Sequence, residues 1–538
     1  MISKKKKDFD TEFIEPVAAH VPEPQRIAAS HYGMISTAHF RATEIGVQML
    51  DQGGNAIDAA VAAGFALGVC EPQSSGLGGQ SMMIMHTGEN GETIALDGSS
   101  RAPNRAVTEL FSEKSTRISG YTAATVPSTP ATLAYALEKY GTLSLSQILT
   151  PVISLARKGY EITTLQHEIQ RRELKALKRR NAGTFFLREG ERPYPVGSIF
   201  KQPLLADTLQ QLADDGVEAF YTGKIAELIH EDMRKNGGFI QKDDLAQIPY
   251  PIERRPVSCR FGNMYVYTMP PPGSGRPLIE ILNILRRFPA KERNPDTPQG
   301  ALLFAEIMRQ AQLDRRDRPF DPNFYPQVQD RRMLSRDYAK LVSEQIQTRI
   351  KTSGETTHLS VMDRFGNVVA LTQSIERVYG AKTVNPGLGF LYNNYMNAFD
   401  YEDISHPYYL RPNAVPWASV APTIIFRAKK PWLAIGSPGS ERIVSTIAQV
   451  IVRLAKQSPF DAVAAPRMHC SFDGKISLEA AYMRSDIPDF LRKQGFTMDI
   501  REPLSYYLGC VQLVLSENAE FIGVADPRRD GSAGGPKS

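Results

Sequence analysis

The sequence predicts a layered α/β protein whose strands are largely antiparallel. Three observations lead there: helical spacing dominates roughly 130–235, short alternating segments dominate from 357 onward, and helices bracket the strand-rich text. The chain has 538 residues, of which 42% are apolar and 22% charged. That composition supports a sizeable core and excludes disorder or fibrous structure for the bulk of the chain.

Residues 1–28 are polar and proline-dotted, and they read as a poorly ordered leader with a solvated basic run at Lys4–Lys7. RATEIGVQML (41–50) has helical spacing and stops at Gly53-Gly54. Asn55 then reads as the N-cap of AIDAAVAAGFALGV, a helix whose single charge, Asp58, marks it as buried. The glycine-rich SSGLGGQ (74–80) leads into an apolar strand, SMMIMH; the turn reads equally as a tight connection or as a substrate-facing loop. LSQILTPVISLARKGY is an amphipathic helix with Pro151 near its start. YVYTMPPPGSG (265–275) is a strand entering a rigid loop, with a helix from about Leu278 and another over 301–317. THLSVMD and VVALTQSI, joined by RFGN, predict a β-hairpin. FLYNNYM, PTIIF, PWLAIGS, QLVLSE and FIGVADPR are further strand candidates, and 441–456 is a strongly amphipathic helix.

The 63 basic and 58 acidic residues leave a net charge of +5, dispersed beyond the N-terminal run, so nucleic acid is not an expected partner. No stretch approaches about 18 uncharged apolar residues, so no membrane span is expected. The basic start runs into Asp8, Asp10 and Glu12 instead of an apolar core, unlike a secretory signal, and a cytoplasmic location is the resulting expectation. Cys70, Cys259, Cys470 and Cys510 are far apart and form no CxxC pair, which argues against a disulfide scaffold or structural zinc. The nine histidines show no metal-binding spacing, and P-loop, dinucleotide and G-x-S-x-G signatures are all missing. No cofactor and no metal are expected.

GETTHLSVMDRFGNVVALTQS (354–374) places a Thr-Thr-His run at the start of a strand, directly after the polar stretch KTSGE. Taken alone, Thr356-Thr357 suits any strand edge. The surrounding text resembles the γ-glutamyltransferase family of N-terminal-nucleophile hydrolases. It does so through TTHLSVMDRFGN, YGAKTVNPGLGFLYNNYMNAF (379–399), PWASVAPTII (416–425), IGSPGSERI (435–443), GGNAIDAAVAAGFALGVCEPQSSGLGGQSMM (53–83), LDGSSRAP (96–103), DDLAQI (243–248) and MPPPGSG. The resemblance implies an αββα sandwich with largely antiparallel central sheets. It also implies a precursor cut between Glu355 and Thr356 into a large chain, 29–355, and a small chain, 356–538, which together form one unit.

By that resemblance Thr356 is the nucleophile, activated by its own freed α-amino group. An amine with a reference pKa near 8 accepts a proton at physiological pH, whereas the uncut amide nitrogen cannot. The resemblance also puts an oxyanion hole at the backbone N–H groups of Gly439 and Ser440, where the family usually has two glycines. Ser374 falls where a hydroxyl residue hydrogen-bonds the nucleophile. Thr357 and Asn393-Asn394 match motif residues, either as strand-end structure or as site groups.

Substrate recognition departs from the family. The arginine that holds the glutamyl α-carboxylate is replaced by Ser99, with Arg101 two residues on. The serine pair reads Ala418-Ser419, and the ammonium ligands read Glu376, Tyr395 and Ala398. Loss of that last carboxylate weakens ammonium binding. The segment from Phe399 to Pro416 reads as shorter than in members with a covering lid. Arg101, Arg377 and Arg442 are candidate partners for a substrate carboxylate. The implied function is a self-processing amidohydrolase or acyltransferase acting by default on γ-glutamyl compounds such as glutathione. A small anionic amide is the alternative, as in oxamate amidohydrolase-like members, and a catalytically retired scaffold is a further one. The expected partners are a small-molecule amide and the two chains of one precursor, with a higher oligomer open.

Overall fold

The computed structural model describes residues 25–111, 113–317, 335, 337–339 and 356–537. Lys4–Lys7, Glu355 and the KTSGE stretch therefore lie outside the described residues. Two seven-stranded sheets form the centre, and every neighbouring pair in both is antiparallel. The first sheet runs β19 (Ser532–Gly534), β2 (Gly33–Thr37), β10 (Thr357–Asp363), β11 (Val368–Ser374), β3 (Gln80–His86), β4 (Thr93–Gly98) and β7 (Ile252–Arg254). The second runs β1 (Ile27–Ser30), β18 (Glu520–Ala525), β17 (Gln512–Glu517), β13 (Lys430–Gly436), β12 (Thr423–Arg427), β9 (Met264–Thr268) and β8 (Val257–Phe261). Smaller sheets join β5 (Tyr160–Glu161) to β6 (Ile199–Phe200), and β14 (Met468–Cys470) to β15 (Lys475–Leu478) and β16 (Thr497–Ile500). Only β15 and β16 run parallel among the described strands.

Three apolar layers account for the stacking. Between the sheets lie Met34, Met82, Ile84, Met362, Ala370, Ile424, Ala434 and Val514. The outer face of the first sheet packs on helices Phe40–Asp51 and Ala56–Cys70, with Leu359, Val361 and Leu371 in that layer. The outer face of the second packs on Gly275–Leu285 and Arg442–Arg453. Strand side chains alternate, so a strand covered on both faces buries every residue, and all seven of β10 are buried.

Helix Ala56–Cys70 is built to lie deep. Asn55 and Asp58 form a reciprocal capping box, and Asp58 also accepts from the Thr142 and Leu143 N–H groups at 2.9 and 3.0 Å. Its one charge is thereby spent, and its small side chains let it sit close to β11.

Three expectations need correcting. Ile27 and Ala28 are not part of a disordered leader: they pair with Val524 and Gly523 as β1. FLYNNYM is not a strand. Leu391 and Tyr392 make isolated bridges, and the chain then turns into a short 3-10 helix at Tyr395–Ala398. The reason is that the Asn393 and Asn394 side chains bind loop backbone that a ladder would otherwise exclude. Asn393 Nδ2 donates to Gly78 and Thr125 carbonyls, and Asn394 Nδ2 to the Ile118 carbonyl. Both asparagines act as braces. Pro151 lies well inside helix Leu145–Lys158 instead of near its start.

Candidate active site

Strand register assembles the site. Thr357 stands opposite Gln373, so the ladder continued by one residue sets Thr356 opposite Ser374, and Ser374 stands opposite Gln80 on the far side. Alternation fixes which face these residues share. His358 bonds Thr372 on the inter-sheet face, and Ser360 donates to the Gln512 carbonyl of the second sheet. Thr356, Ser374 and Gln80 keep that parity and point between the sheets. All three are at most 3% exposed.

β13 supplies the roof. A methyl group added at Gly436 would lie 2.2 Å from the His358 ring, so only glycine permits the strand end to cross the imidazole there. His358 makes contacts through both ring nitrogens, to Thr372 at 2.8 Å and Ser360 at 3.1 Å. Burial drops its pKa to about 3, and it stays neutral. Beyond Gly436 the chain turns through Ser437–Ser440, with Gly439 at φ 121° and Ser440 at φ 53°. The Arg442 and Ile443 N–H groups close the turn onto the Gly439 and Ser440 carbonyls, each at 3.0 Å. The N–H groups of Gly439 and Ser440 themselves meet no protein acceptor among the described residues. A buried turn with two unspent N–H donors has the property an oxyanion hole requires.

Ser440 is a non-glycine residue in a left-handed backbone. Its Oγ lies 3.1 Å from Ser419 Oγ, which ties two expected site residues together. The segment carrying Ser419 is held by the proline loop: Ser274 Oγ donates to the Ala418 carbonyl, and the Ala418 N–H to the Pro272 carbonyl.

Tyr395 is buried, takes its N–H bond to Asn393 Oδ1 at 3.0 Å, and lays its hydroxyl beside Ser374 and Gln80. Burial raises its pKa, with the nearby Glu376 charge adding to the effect. Glu376 has φ 77° and donates its N–H to Ser374 Oγ at 2.8 Å. Arg101 pairs by backbone with Val126, and its Nε is buried without a partner. Ser99, at the position of the family arginine, instead donates to Asp97, which Arg254 pairs at 2.7 Å.

The opposite face of β10 carries a cluster that sequence reading did not find. Thr357 Oγ1 donates to Glu71, and Glu71 pairs with Arg529 at 2.7 Å. Burial raises the Glu71 pKa while the guanidinium opposes it. Gln80 was also missed. The available signal was a polar residue opening an apolar strand after GLGG. Among the described residues no group of three or more His, Cys, Asp or Glu is arranged to hold a metal.

Two antiparallel sheets stacked between helical layers, with a buried turn of open N–H donors following β13, fit an N-terminal-nucleophile-type hydrolase architecture. The gamma-glutamyltranspeptidase family model matches residues 42–535, and the chain belongs to that family of hydrolase and transferase enzymes. It is 34% identical to the glutathione hydrolase proenzyme of Escherichia coli K12, over 92% of this chain and 90% of that protein. A solved cephalosporin acylase from Bacillus halodurans matches with TM-score 0.88 and 27% identity, covering 97% of this chain and 99% of its own. A solved gamma-glutamyltranspeptidase chain from Helicobacter pylori is 38% identical with TM-score 0.55, covering 58% of this chain and 90% of its own.

Proposed function

We propose that the chain is a self-processing amidohydrolase and acyltransferase whose nucleophile is Thr356, freed by cleavage after Glu355. The observations that carry this reading are the register that sets Thr356 opposite Ser374 and the buried turn after β13 whose Gly439 and Ser440 N–H groups meet no protein acceptor among the described residues. Thr356 Oγ attacks the substrate amide carbon as its α-amino group takes the proton, and the two N–H groups hold the oxyanion. Collapse breaks the C–N bond, the amine leaves with that proton, and water or a second amine releases the acyl group from the Thr356 ester. The name "proenzyme" in the E. coli relative supports processing, as does the shorter length of the solved H. pylori chain.

For substrate, the reading is a γ-glutamyl-type amide such as glutathione. Tyr395 and Ala398 supply no charge to an ammonium group, so transfer of the glutamyl unit is expected to be slow for the family. The solved cephalosporin acylase supports a second reading, that an acyl group other than γ-glutamyl is accepted.

Mass spectrometry of the purified protein tests the proposal. The expected small chain begins at Thr356; Thr356→Ala remains one chain without amidase activity, and Thr356→Ser is still cut. A different N-terminus, or full activity in an uncut chain, refutes it.

A further inference from the structure

The start of β10 is laddered on one edge before the other. Among the described residues its pairing with β11 begins at Thr357, opposite Gln373, whereas its pairing with β2 begins two residues later, at Leu359 opposite Thr37. A strand end of that kind frays unless a side chain ties it down. Thr357 supplies the tie on the face away from Ser374. Its Oγ1 donates to Glu71, whose other carboxylate oxygen takes the Arg529 guanidinium at 2.7 Å. Arg529 also donates to Ser74 Oγ at 3.2 Å and lies 4.3 Å over the Tyr506 ring. Thr357, Glu71, Ser74 and Arg529 are at most 2% exposed. The turn that carries Glu71 is itself fixed: the Glu71 N–H bonds the Leu67 carbonyl of helix Ala56–Cys70 at 2.8 Å, and the Ser74 N–H bonds the Glu71 carbonyl at 3.0 Å. It reaches the neighbouring strand end as well. The Ser74 carbonyl accepts from the Ile375 N–H at 3.3 Å and the Gln73 carbonyl from the Tyr379 N–H at 2.9 Å, just after Ser374. One turn therefore grips the start of β10 and the end of β11.

We propose that Glu71 and Arg529 are positioning residues for the nucleophile. They act through Thr357: held on one face of β10, it keeps Thr356 in place on the other. This rests on the reading of Thr356 as nucleophile. A neutral acceptor would satisfy a hydroxyl, and a buried ion pair brings little net stability. What the pair adds is a charge-assisted bond, about twice as strong as a neutral one. The need for it arises with the cut. Before cleavage the peptide bond to Glu355 tethers Thr356 from behind; afterwards Thr356 is a chain end whose nearest fixed neighbour is Thr357. A reacting atom misplaced by about 1 Å can cost about a hundredfold in rate. The bond also crosses the cut, since Glu71 lies in the large piece and Thr357 and Arg529 in the small one. Loss of the tie should therefore slow the chemistry on Thr356 more than the cleavage that frees it.

Acylation of the purified protein by a β-lactone tests this without a known substrate: ring opening on Thr356 Oγ adds the whole lactone mass to the small chain. Thr357→Val keeps the branched shape and the Glu71–Arg529 pair but removes the hydroxyl. It is expected to lower the maximal acylation rate at least tenfold while the half-saturating lactone concentration stays within about twofold. Cleavage after Glu355 should still go to completion. Thr357→Ser restores the hydroxyl and should return the rate to within about threefold of wild type. Arg529→Lys keeps the charge but loses the fork; a loss of about three- to tenfold is expected, and this variant carries the test if Thr357→Val folds poorly. Wild-type rates in folded, cut Thr357→Val and Arg529→Lys overturn the proposal. So does a loss that Thr357→Ser fails to rescue, or one that appears only in the half-saturating concentration. Failure of the nucleophile reading shows separately, in the wild type, as an uncut chain, a wrong N-terminus or no adduct on Thr356, and the proposal then falls with it.

Discussion

Around Asp526 the fold buries four charges, whereas around Ser374 it buries a row of neutral hydroxyl and amide groups. Both places are equally dry: Arg467, Arg528, Asp526 and Glu479 are at most 3% exposed, as are Thr356, Ser374 and Gln80. In the charged cluster the carboxylates are saturated. Asp526 accepts from Arg467, Arg528 and the Val511 N–H, and Glu479 accepts from Arg528 and the Arg467 and Ser505 N–H groups. Two positive and two negative charges cancel. At the neutral site the Gly439 and Ser440 N–H groups meet no protein acceptor among the described residues. Burial of polar groups therefore does not mark function, and neither does a leftover donor alone, since Arg467 Nε in the charged cluster is also buried without a partner; the open backbone N–H pair of the turn after β13 is what sets the neutral region apart.

Breaking each region should give opposite results. Asp526→Asn leaves two guanidinium groups facing one carboxylate and is expected to cost about 3–5 kcal/mol of stability, read as a lowered urea midpoint. Thr356→Ala removes activity yet should move that midpoint by no more than about 1 kcal/mol, since no charge is stranded. A large loss of stability in Thr356→Ala, or none in Asp526→Asn, would erase the distinction.

Titration sharpens the contrast at the histidines. His39 and His358 are buried with pKa values lowered to about 3. The unfolded chain takes up their protons as pH falls through about 6.5, while the folded chain does not until about 3. Stability contributed by these groups is thus present above pH 6.5 and lost below it, at up to about 1.4 kcal/mol per pH unit for each. His358→Asn should flatten the fall in urea midpoint between pH 7 and 5 relative to wild type; an unchanged slope would mean His358 is protonated in the fold.

The smallest effect is expected for the glycine substitution at Ser440. Ser440→Gly relieves a left-handed serine, costing roughly 1 kcal/mol, and loses the bond to Ser419, worth about as much, so stability and activity should stay near wild type. Ser440→Val, β-branched at φ 53°, should lower kcat at least tenfold by displacing the N–H donor.

The hairpin β10–β11, the capped helix at Asn55 and the helix at 441–456 were legible because each signal is local: period-two alternation, an N-cap with its reciprocal acid, a 3.6-residue apolar stripe. FLYNNYM misled for the same reason. Its composition favours a strand, but its asparagines bond segments far away in sequence, around Gly78, Ile118 and Thr125. Thr356, Ser374, Gly439, Ser440 and Ser419 were singled out by the family resemblance of their motif text; the fold sets Thr356 opposite Ser374 and Ser419 beside Ser440. Glu71, Arg529 and Gln80 were not singled out.

Sequence alone determined the β10–β11 hairpin, the capped helix at Asn55, the helix at 441–456 and the family-bearing motifs, since alternation, caps and turn residues act over a few neighbours. Tertiary structure alone decided that Ser374 is flanked by Thr356 and Gln80, that Gly436 crosses His358, and that Glu71 meets Arg529. The physical reason is that a buried polar group is either spent or open according to partners delivered by other strands. That balance closes only when both sheets are stacked.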